Sequence, residues 1–295
     1  MDIKSSFFLF SVSCVKKFFL HSPRDLRLNI CMSRTEKELA FLRDLYIAGD
    51  WTERFTNLIG KNLNAKNTGE LLYVNAGTGN FALDLEEKLA EDAELTCVCE
   101  NEELMIIARA KAEAVKSGIK FRAALPDERF DAVLADASFI RPAELKDFLA
   151  ETAGLSREQF AFFLPTRGSF GEIFSYLWQT LLEMDWLERG AEVERLITEL
   201  PAVSDTEEIA ENLGLSKLHT ETKNEIFEFE NGAEFVNSPL VADFLLPAWL
   251  GFLNEEEQDQ VAERLAQTVD ADIEGMSFRF SVKMTLVVGE KNSGF

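Results

Sequence analysis

The first half of the chain alternates short apolar runs with segments whose apolar positions recur every three or four residues. The short runs are typical of buried strands, and the longer periodic segments are typical of amphipathic helices. Strands that alternate with helices indicate βαβ units, a parallel sheet and right-handed crossovers. The predicted strands are 71–75, 95–100, 119–123, 130–135 and 160–164, and the predicted helices between them are 81–89, 102–117 and 142–150.

The flanking segments are mainly helical in pattern, and the last one alternates between apolar and polar positions. Residues 277–289 place Phe278, Phe280, Val282 and Met284 on one face, which predicts a strand that finishes the sheet. The predicted fold class is therefore α/β and doubly wound. The other predicted helical segments are 34–63, 170–186, 191–200, 205–213, 233–246 and 255–269, and 217–222 and 225–230 are predicted to be extended.

The N-terminal 31 residues differ from the rest because basic residues outnumber acidic ones and the apolar pieces are short and interrupted by Lys16 and Lys17. They lack the pattern of a secretory signal or an integral membrane segment. We expect 1–31 to be a disordered or mis-started extension, with a membrane-surface or targeting role as the alternative. Residues 32–295 then form the folded domain, with helical additions at about 170–213 and 233–270.

Charge and composition narrow the classes of partner. The 295 residues include 52 acidic and 30 basic side chains, a formal net charge of −22, which disfavours a nucleic-acid substrate. The four cysteines show no C-x-x-C spacing, which favours a reducing, cytoplasmic setting. With only two histidines, the chain offers no clustered histidine ligands for a metal.

The chemistry-bearing pattern is the turn Gly77-Thr-Gly79, which lies between the first predicted strand and a helix. Glycines there adopt positive φ, and the helix N-terminus offers free N–H groups. The second strand ends at Glu100, 21 positions after Gly79, where a carboxylate can accept hydrogen bonds from a ribose diol. The turn and the acid together predict a site for an adenosyl cofactor.

Three segments resemble the class I S-adenosylmethionine-dependent methyltransferases. They are the first motif around Asn75-Ala-Gly77-Thr-Gly79, the Phe130-Asp-Ala-Val segment, and the closing strand 279–289. The resemblance covers roughly 55–290, and its specific motifs fall within 71–136. It implies a mostly parallel seven-stranded sheet with helices on both faces, an antiparallel C-terminal strand, and S-adenosylmethionine as cofactor. The implied cofactor-binding residues are Asn75, Gly77, Thr78, Gly79, Glu100, Asn101 and Asp136.

The resemblance implies methyl transfer to a small molecule. The many aromatic residues after residue 165 suggest that this molecule is apolar. The other explanation for these aromatic residues is packing in the core. No catalytic residue is assigned, and the oligomeric state stays open. Two other functions also stay open. Gly77 to Ala82 fits the G-x-G-x-x-A pattern of NAD-dependent oxidoreductases, and Tyr73 and Asn75 replace an acid and a glycine of the methyltransferase motif, as a non-catalytic pseudoenzyme or interaction protein would allow. The aromatic candidates are Phe170, Phe174, Tyr176, Trp178, Trp186, Phe244, Trp249 and Phe252.

Overall fold

A computed structural model describes residues 34–63, 68–273 and 275–291. The predicted extension 1–31 lies outside these residues. The described chain is built around one sheet whose strands are β1 (Glu70–Val74), β2 (Glu94–Val98), β3 (Lys120–Arg122), β4 (Phe130–Asp136), β5 (Ser156–Pro165), β6 (Leu215–Phe229) and β7 (Phe278–Lys291).

The seven strands lie in the order β3-β2-β1-β4-β5-β7-β6. Strands β1 to β5 pair in parallel, and β7 runs antiparallel to both β5 and β6. The predicted doubly wound α/β fold with an antiparallel C-terminal strand is confirmed. The last strand, β7, lies between β5 and β6, so β3 and β6 form the two edges of the sheet.

Helices connect the strands and cover the sheet. Successive side chains of a strand point to opposite faces. On one face, Leu72 and Val74 pack with Leu149 of the helix before β5, and on the other face the Tyr73 ring meets Phe81 edge to face at 5.8 Å. The α-helices are α1 (Glu36–Leu42), α2 (Glu53–Asn62), α3 (Asn80–Glu86), α4 (Glu102–Val115), α5 (Leu145–Gly154), α6 (Gly171–Glu183), α7 (Gly190–Glu199), α8 (Val203–Asn212), α9 (Gly232–Asn237), α10 (Leu246–Trp249) and α11 (Glu255–Ile273).

The segment before β1 contains three consecutive helices, where the pattern predicted one helical stretch. Thr35 and Glu38 form a capping box that starts α1. The chain then continues as a ten-residue π-helix, Arg43–Thr52, and ends as α2. A π-helix is rare and occurs mostly as a single turn near functional sites. A second π-helix, Leu240–Leu245, lies between α9 and α10.

Strand β6 is one continuous strand of 15 residues that joins the two segments predicted to be extended, 217–222 and 225–230, up to Phe229. Lys223, Asn224 and Glu225 all pair with β7. Their side chains interrupt the apolar pattern because β6 is an edge strand with partly exposed faces. Helix α2 contacts this strand, since Arg54 donates a hydrogen bond to the Ile226 carbonyl at 2.8 Å and Asn62 donates one to Glu221 at 2.6 Å.

Within the described residues, no helix combines the length and the hydrophobicity needed to cross a bilayer.

Helices α9 and α11 approach each other closely at Gly232, where an added Cβ would lie 2.2 Å from the Ala266 carbonyl oxygen. We expect Gly232→Ala to lower the free energy of unfolding by about 1–3 kcal/mol, because the helices must separate to admit the methyl group. Urea titration of both proteins measures the difference.

Gly171 is the matched control, since it also occupies the first position of a helix but has open space around its Cβ direction. We expect Gly171→Ala to be neutral or stabilising by up to about 1 kcal/mol. Equal losses in the two variants would contradict the interpretation that close packing at Gly232 matters.

Candidate functional site

The carboxyl ends of β1, β2 and β4 meet at one edge of the sheet, at the point where the strand order reverses between β1 and β4. Ligands of doubly wound folds bind in the crevice at such a point. The loop after β1 contains three residues with positive φ: Asn75 (60°), Gly77 (57°) and Gly79 (81°). Three left-handed residues in five give a tight turn at the carboxyl end of β1.

Asn75 explains how the turn forms without the glycine of the resembled motif. Asparagine enters the left-handed region more readily than other residues with a Cβ. Its side chain also donates a hydrogen bond from Nδ2 to the Asp136 carbonyl at 2.9 Å, which joins the end of β1 to the end of β4. The substitution therefore preserves the turn and connects it to the neighbouring strand.

Gly79 serves the packing of the turn. It lies at the N-terminus of α3, and an added Cβ would lie 3.0 Å from the Phe121 ring and 3.1 Å from Ala108. The turn thus fits tightly against α4 and β3, although Gly79 does not line the cavity that Gly77 and Thr78 line.

Glu100 lies directly beside the turn. Its Oε2 atom accepts a hydrogen bond from the Gly77 backbone N–H at 3.1 Å, and its Oε1 atom is paired with the Arg43 guanidinium. The Glu100 and Arg43 side chains are 23% and 16% exposed. Both carboxylate oxygens are therefore engaged, one by the turn and the other by the π-helix Arg43–Thr52.

A second polar group attaches the same π-helix to the turn. Thr78 donates a hydrogen bond from Oγ1 to Asp44 Oδ1 at 2.6 Å. Lys111 of α4 forms an ion pair with Asp44 and a hydrogen bond to Asn80. Arg43 and Asp44 thus anchor consecutive positions of the helix onto the glycine turn.

Asp136 ends β4 and is 6% exposed. Burial raises the pKa of its carboxyl to about 7, although hydrogen bonding from Ser138, whose N–H lies 2.8 Å from Oδ1, opposes the shift. Burial also raises the pKa of the nearby Tyr73 phenol well above its ordinary value. Asp136 is therefore a carboxyl that can exchange a proton near neutral pH.

The space between the turn and the π-helix is small. A cavity of about 20 Å³ remains, which is room for about one water molecule. Pockets that hold drug-sized ligands measure about 300–1,000 Å³. The cavity is lined on one side by Arg43, Ile47, Ala48 and Thr52 and on the other by Tyr73, Asn75, Gly77, Thr78 and Asp136.

A larger groove of about 610 Å³ lies next to Glu100, between the ends of β2 and β3. Asn101 lines it, and its side chain accepts a hydrogen bond from the Leu104 N–H at 2.9 Å, which caps α4. Residues 122–125, at the end of β3 and just after it, and Glu36 of α1 also line the groove.

An apolar cavity of about 140 Å³ lies beyond the ends of β4 and β5. Four of the eight predicted aromatic residues line it: Phe170, Phe174, Phe244 and Trp249. Phe139, which the sequence did not single out, joins them on the loop after β4. The other four predicted aromatic residues, Tyr176, Trp178, Trp186 and Phe252, do not line this cavity.

Two kinds of catalytic group are not found at this edge. In the described part of the chain, no three or more His, Cys, Asp or Glu residues cluster as a metal site would require. Cys97 and Cys99 are buried, and burial raises the pKa of Cys99 to about 12, so its thiol stays protonated.

Sequence reasoning missed Arg43, Asp44 and Lys111. The structure brings Asn75, Gly77, Thr78 and Asp136 to one cavity, with Glu100 and Asn101 beside it, as parallel strand ends require. The three missed residues come from helices, where a charged side chain is ordinarily solvated. The sequence offers one indication of such a contact: a helix that directly precedes the first strand must lead the chain back to the sheet.

The residues present fit an adenosyl cofactor in their chemistry. The Glu100 carboxylate accepts two hydrogen bonds, as a ribose diol requires, and the 610 Å³ groove beside it gives room for a base. There is less room at the glycine turn than in this groove, because the Arg43 guanidinium is already paired with the Glu100 carboxylate. The assignment of these residues to cofactor binding stays a prediction.

No protein-family model and no curated protein sequence matches the chain. Solved structures do match. YcgJ of Bacillus subtilis is 14% identical with a TM-score of 0.51, and the alignment covers 82% of this chain and 100% of that one. Mycolic acid cyclopropane synthase CmaA1, solved with S-adenosylhomocysteine, is 14% identical with a TM-score of 0.47 and coverage of 85% and 88%.

Phosphoethanolamine N-methyltransferase 2 of Haemonchus contortus is 11% identical with a TM-score of 0.48, and the alignment covers 87% of this chain and 57% of that one. At 14% identity the likeness to YcgJ shows the fold and leaves the reaction and the substrate open.

The raised pKa of Asp136 makes stability depend on pH. The unfolded chain ionises this carboxyl near pH 4, whereas the folded chain ionises it near 7. The folded state therefore holds the proton more tightly, and its stability falls as pH rises between these values. Relative to wild type, we expect Asp136→Asn to gain about 2 kcal/mol in free energy of unfolding between roughly pH 5.5 and roughly pH 8.

Urea unfolding of wild type and variant at the two pH values measures this change. Asp92→Asn, at an exposed position, is the control for the same change from carboxyl to amide outside the buried site. A pH-independent difference for Asp136→Asn would show that the buried carboxyl does not govern this part of the stability curve.

Proposed function

We propose, on the premise that the chain has the fold of the class I S-adenosylmethionine-dependent methyltransferases, that it transfers the methyl group of S-adenosylmethionine to a small, largely apolar molecule. The observation that carries the proposal is the Glu100 carboxylate, 3.1 Å from the Gly77 N–H at the carboxyl end of β2. An acid beside a glycine turn at this edge is suited to hold a ribose.

Each part of the crevice suits one part of the cofactor. The groove at Asn101 and 122–125 would hold the adenine, and Glu100 the ribose. Asn75, Gly77, Thr78 and Asp136 surround the small cavity at the turn, where the methionine end would lie. When bound, the cofactor supplies a methyl group on a positively charged sulfur, which an electron-rich atom of the acceptor can displace.

The apolar cavity is our candidate for the acceptor site. Phe139 links it to the glycine turn, because the Arg43 guanidinium lies 5.4 Å from the centre of its ring and Phe139 also borders the cavity. The Trp249 indole packs against the Phe170 and Phe174 rings at 5.2 and 5.5 Å. Such walls exclude water and position a small apolar acceptor, which is most of what methyl transfer requires of a protein.

Asp136 is the residue that can handle a proton in this arrangement. It lines the cavity at the turn and directly precedes Ala137 and Ser138, which line the apolar cavity, and its pKa of about 7 lets it accept a proton from an acceptor hydroxyl or amine near neutral pH. With the net charge of −22, a nucleic-acid acceptor is disfavoured. We also propose a cytoplasmic location, from the free, buried thiols of Cys97 and Cys99.

Neither alternative function receives support from the comparisons, and binding experiments separate all three. We expect isothermal calorimetry of the full chain to show saturable binding of S-adenosylmethionine and none of NAD. Glu100→Ala removes the acceptor of the ribose hydroxyls and should weaken binding roughly 10- to 100-fold. Glu113→Gln, at an exposed position of α4, is the matched control and should bind as wild type does.

Failure of S-adenosylmethionine to bind, at millimolar concentration, any of these proteins or an Arg43→Gln variant, in which Glu100 loses its ion pair, would overturn the proposal. Binding of NAD in its place would then indicate the oxidoreductase, and binding of neither would indicate the non-catalytic protein.

A further inference from the structure

We infer that residues 36–49, here called the cap segment, close the cofactor site in an autoinhibited state in which Arg43 occupies Glu100 in place of the ribose. The cap segment comprises α1 and the π-helix up to Gly49. This inference rests on the proposed function. It adds that the cofactor and Arg43 compete for the same carboxylate, that of Glu100.

The first argument is the geometry at Glu100. Arg43 pairs with Oε1 while the Gly77 N–H takes Oε2. The guanidinium also extends over the turn, since an added Cβ on Gly77 would lie 3.6 Å from Arg43 Nε. Arg43 thus fills the space that the glycine leaves open and supplies the N–H donors that replace the ribose hydroxyls.

The second argument is the lack of room. With the cap segment in place, the cavity at the turn measures about 20 Å³, whereas a ligand the size of S-adenosylmethionine needs at least about 300 Å³. The adjoining groove of about 610 Å³ stays accessible, so the base can enter while the ribose and the methionine end cannot. Binding of the whole cofactor therefore requires the cap segment to move.

The third argument is that the cap segment can move as a unit. Helix α1 buries only Ala40, and Phe41 and Leu45 are 56% and 65% exposed. Segments with few buried side chains open at low free-energy cost. The closed state is held by the buried side chains of Ile47 and Ala48, which are 2% and 7% exposed, and by the polar contacts of Arg43 and Asp44.

The cap segment is followed in the chain by a fixed residue, Trp51. Trp51 is 1% exposed and is fixed among aromatic rings, with Phe55, Phe139 and Phe227 between 5.2 and 5.6 Å away. Gly49, two positions earlier, has open space around it and the backbone freedom of glycine. The chain can therefore pivot at Gly49 while Trp51 stays anchored.

Because only molecules in the open state bind the cofactor, the apparent affinity equals the intrinsic affinity multiplied by the fraction of molecules that are open. We expect Arg43→Gln to bind both S-adenosylmethionine and uncharged adenosine roughly tenfold more tightly than wild type, as loss of one partly buried ion pair predicts. Arg54→Gln is the control, because it removes an arginine ion pair of the neighbouring helix α2 and should leave both dissociation constants unchanged. Calorimetry on the full chain gives the constants.

Hydrogen exchange provides a second measurement that needs no variant. In wild type, S-adenosylmethionine should speed exchange of the backbone amides of 43–49, because the cap segment is displaced. Slower exchange there on binding would overturn the inference, since the segment would then be closing over the ligand. This readout also serves if Arg43→Gln fails to fold.

The calorimetric outcomes separate the inference from the function beneath it. If wild type binds S-adenosylmethionine and Arg43→Gln binds it equally or more weakly, the autoinhibition is wrong and the proposed function stands. If neither wild type nor Arg43→Gln binds it, the proposed function is wrong and the inference falls with it. Binding by Arg43→Gln alone would support both.

Discussion

The hydrogen bonding of β1 to β2 on one side and β4 on the other is the constraint on which the site depends. The pairs Val74 with Val98 and Val74 with Ala135 bring the carboxyl ends of the three strands level with one another. The Ala76 N–H extends this pairing into the turn by donating to the Val98 carbonyl at 2.9 Å. Asn75, Gly77, Glu100 and Asp136 are attached to these ends, so the position of each follows from the sheet.

Two carboxyl groups, those of Glu100 and Asp136, come together at this edge in a chain that already has a large negative charge. The two side chains reduce the repulsion between their negative charges in different ways. Glu100 stays accessible enough to pair with Arg43, whereas Asp136 is buried and favours its neutral form up to about pH 7. The Arg43 guanidinium therefore both blocks the site and compensates the negative charge of Glu100. This ion pair stabilises the closed arrangement.

The strands and the glycine turn could be predicted because each is encoded by neighbouring residues. Parallel strand ends must then meet, so the proximity of Asn75, Gly77 and Glu100 was also within reach of the sequence. Arg43 was not, because it contacts a residue 57 positions away and the apolar pattern of a helix does not specify where the helix docks. The π-helix and the unbroken β6 were missed for a related reason, since tertiary contacts there override the local pattern.

The contact between α2 and β6 bears on how copies of this chain can meet. A free sheet edge is a template on which another strand can pair, and proteins usually block it. Here Arg54 takes the Ile226 carbonyl, charged side chains lie along β6, and the opposite edge, β3, has only three residues. Both edges of the sheet are therefore poor templates for strand addition by another copy of the described domain, so stacking of sheets edge to edge into fibres is disfavoured.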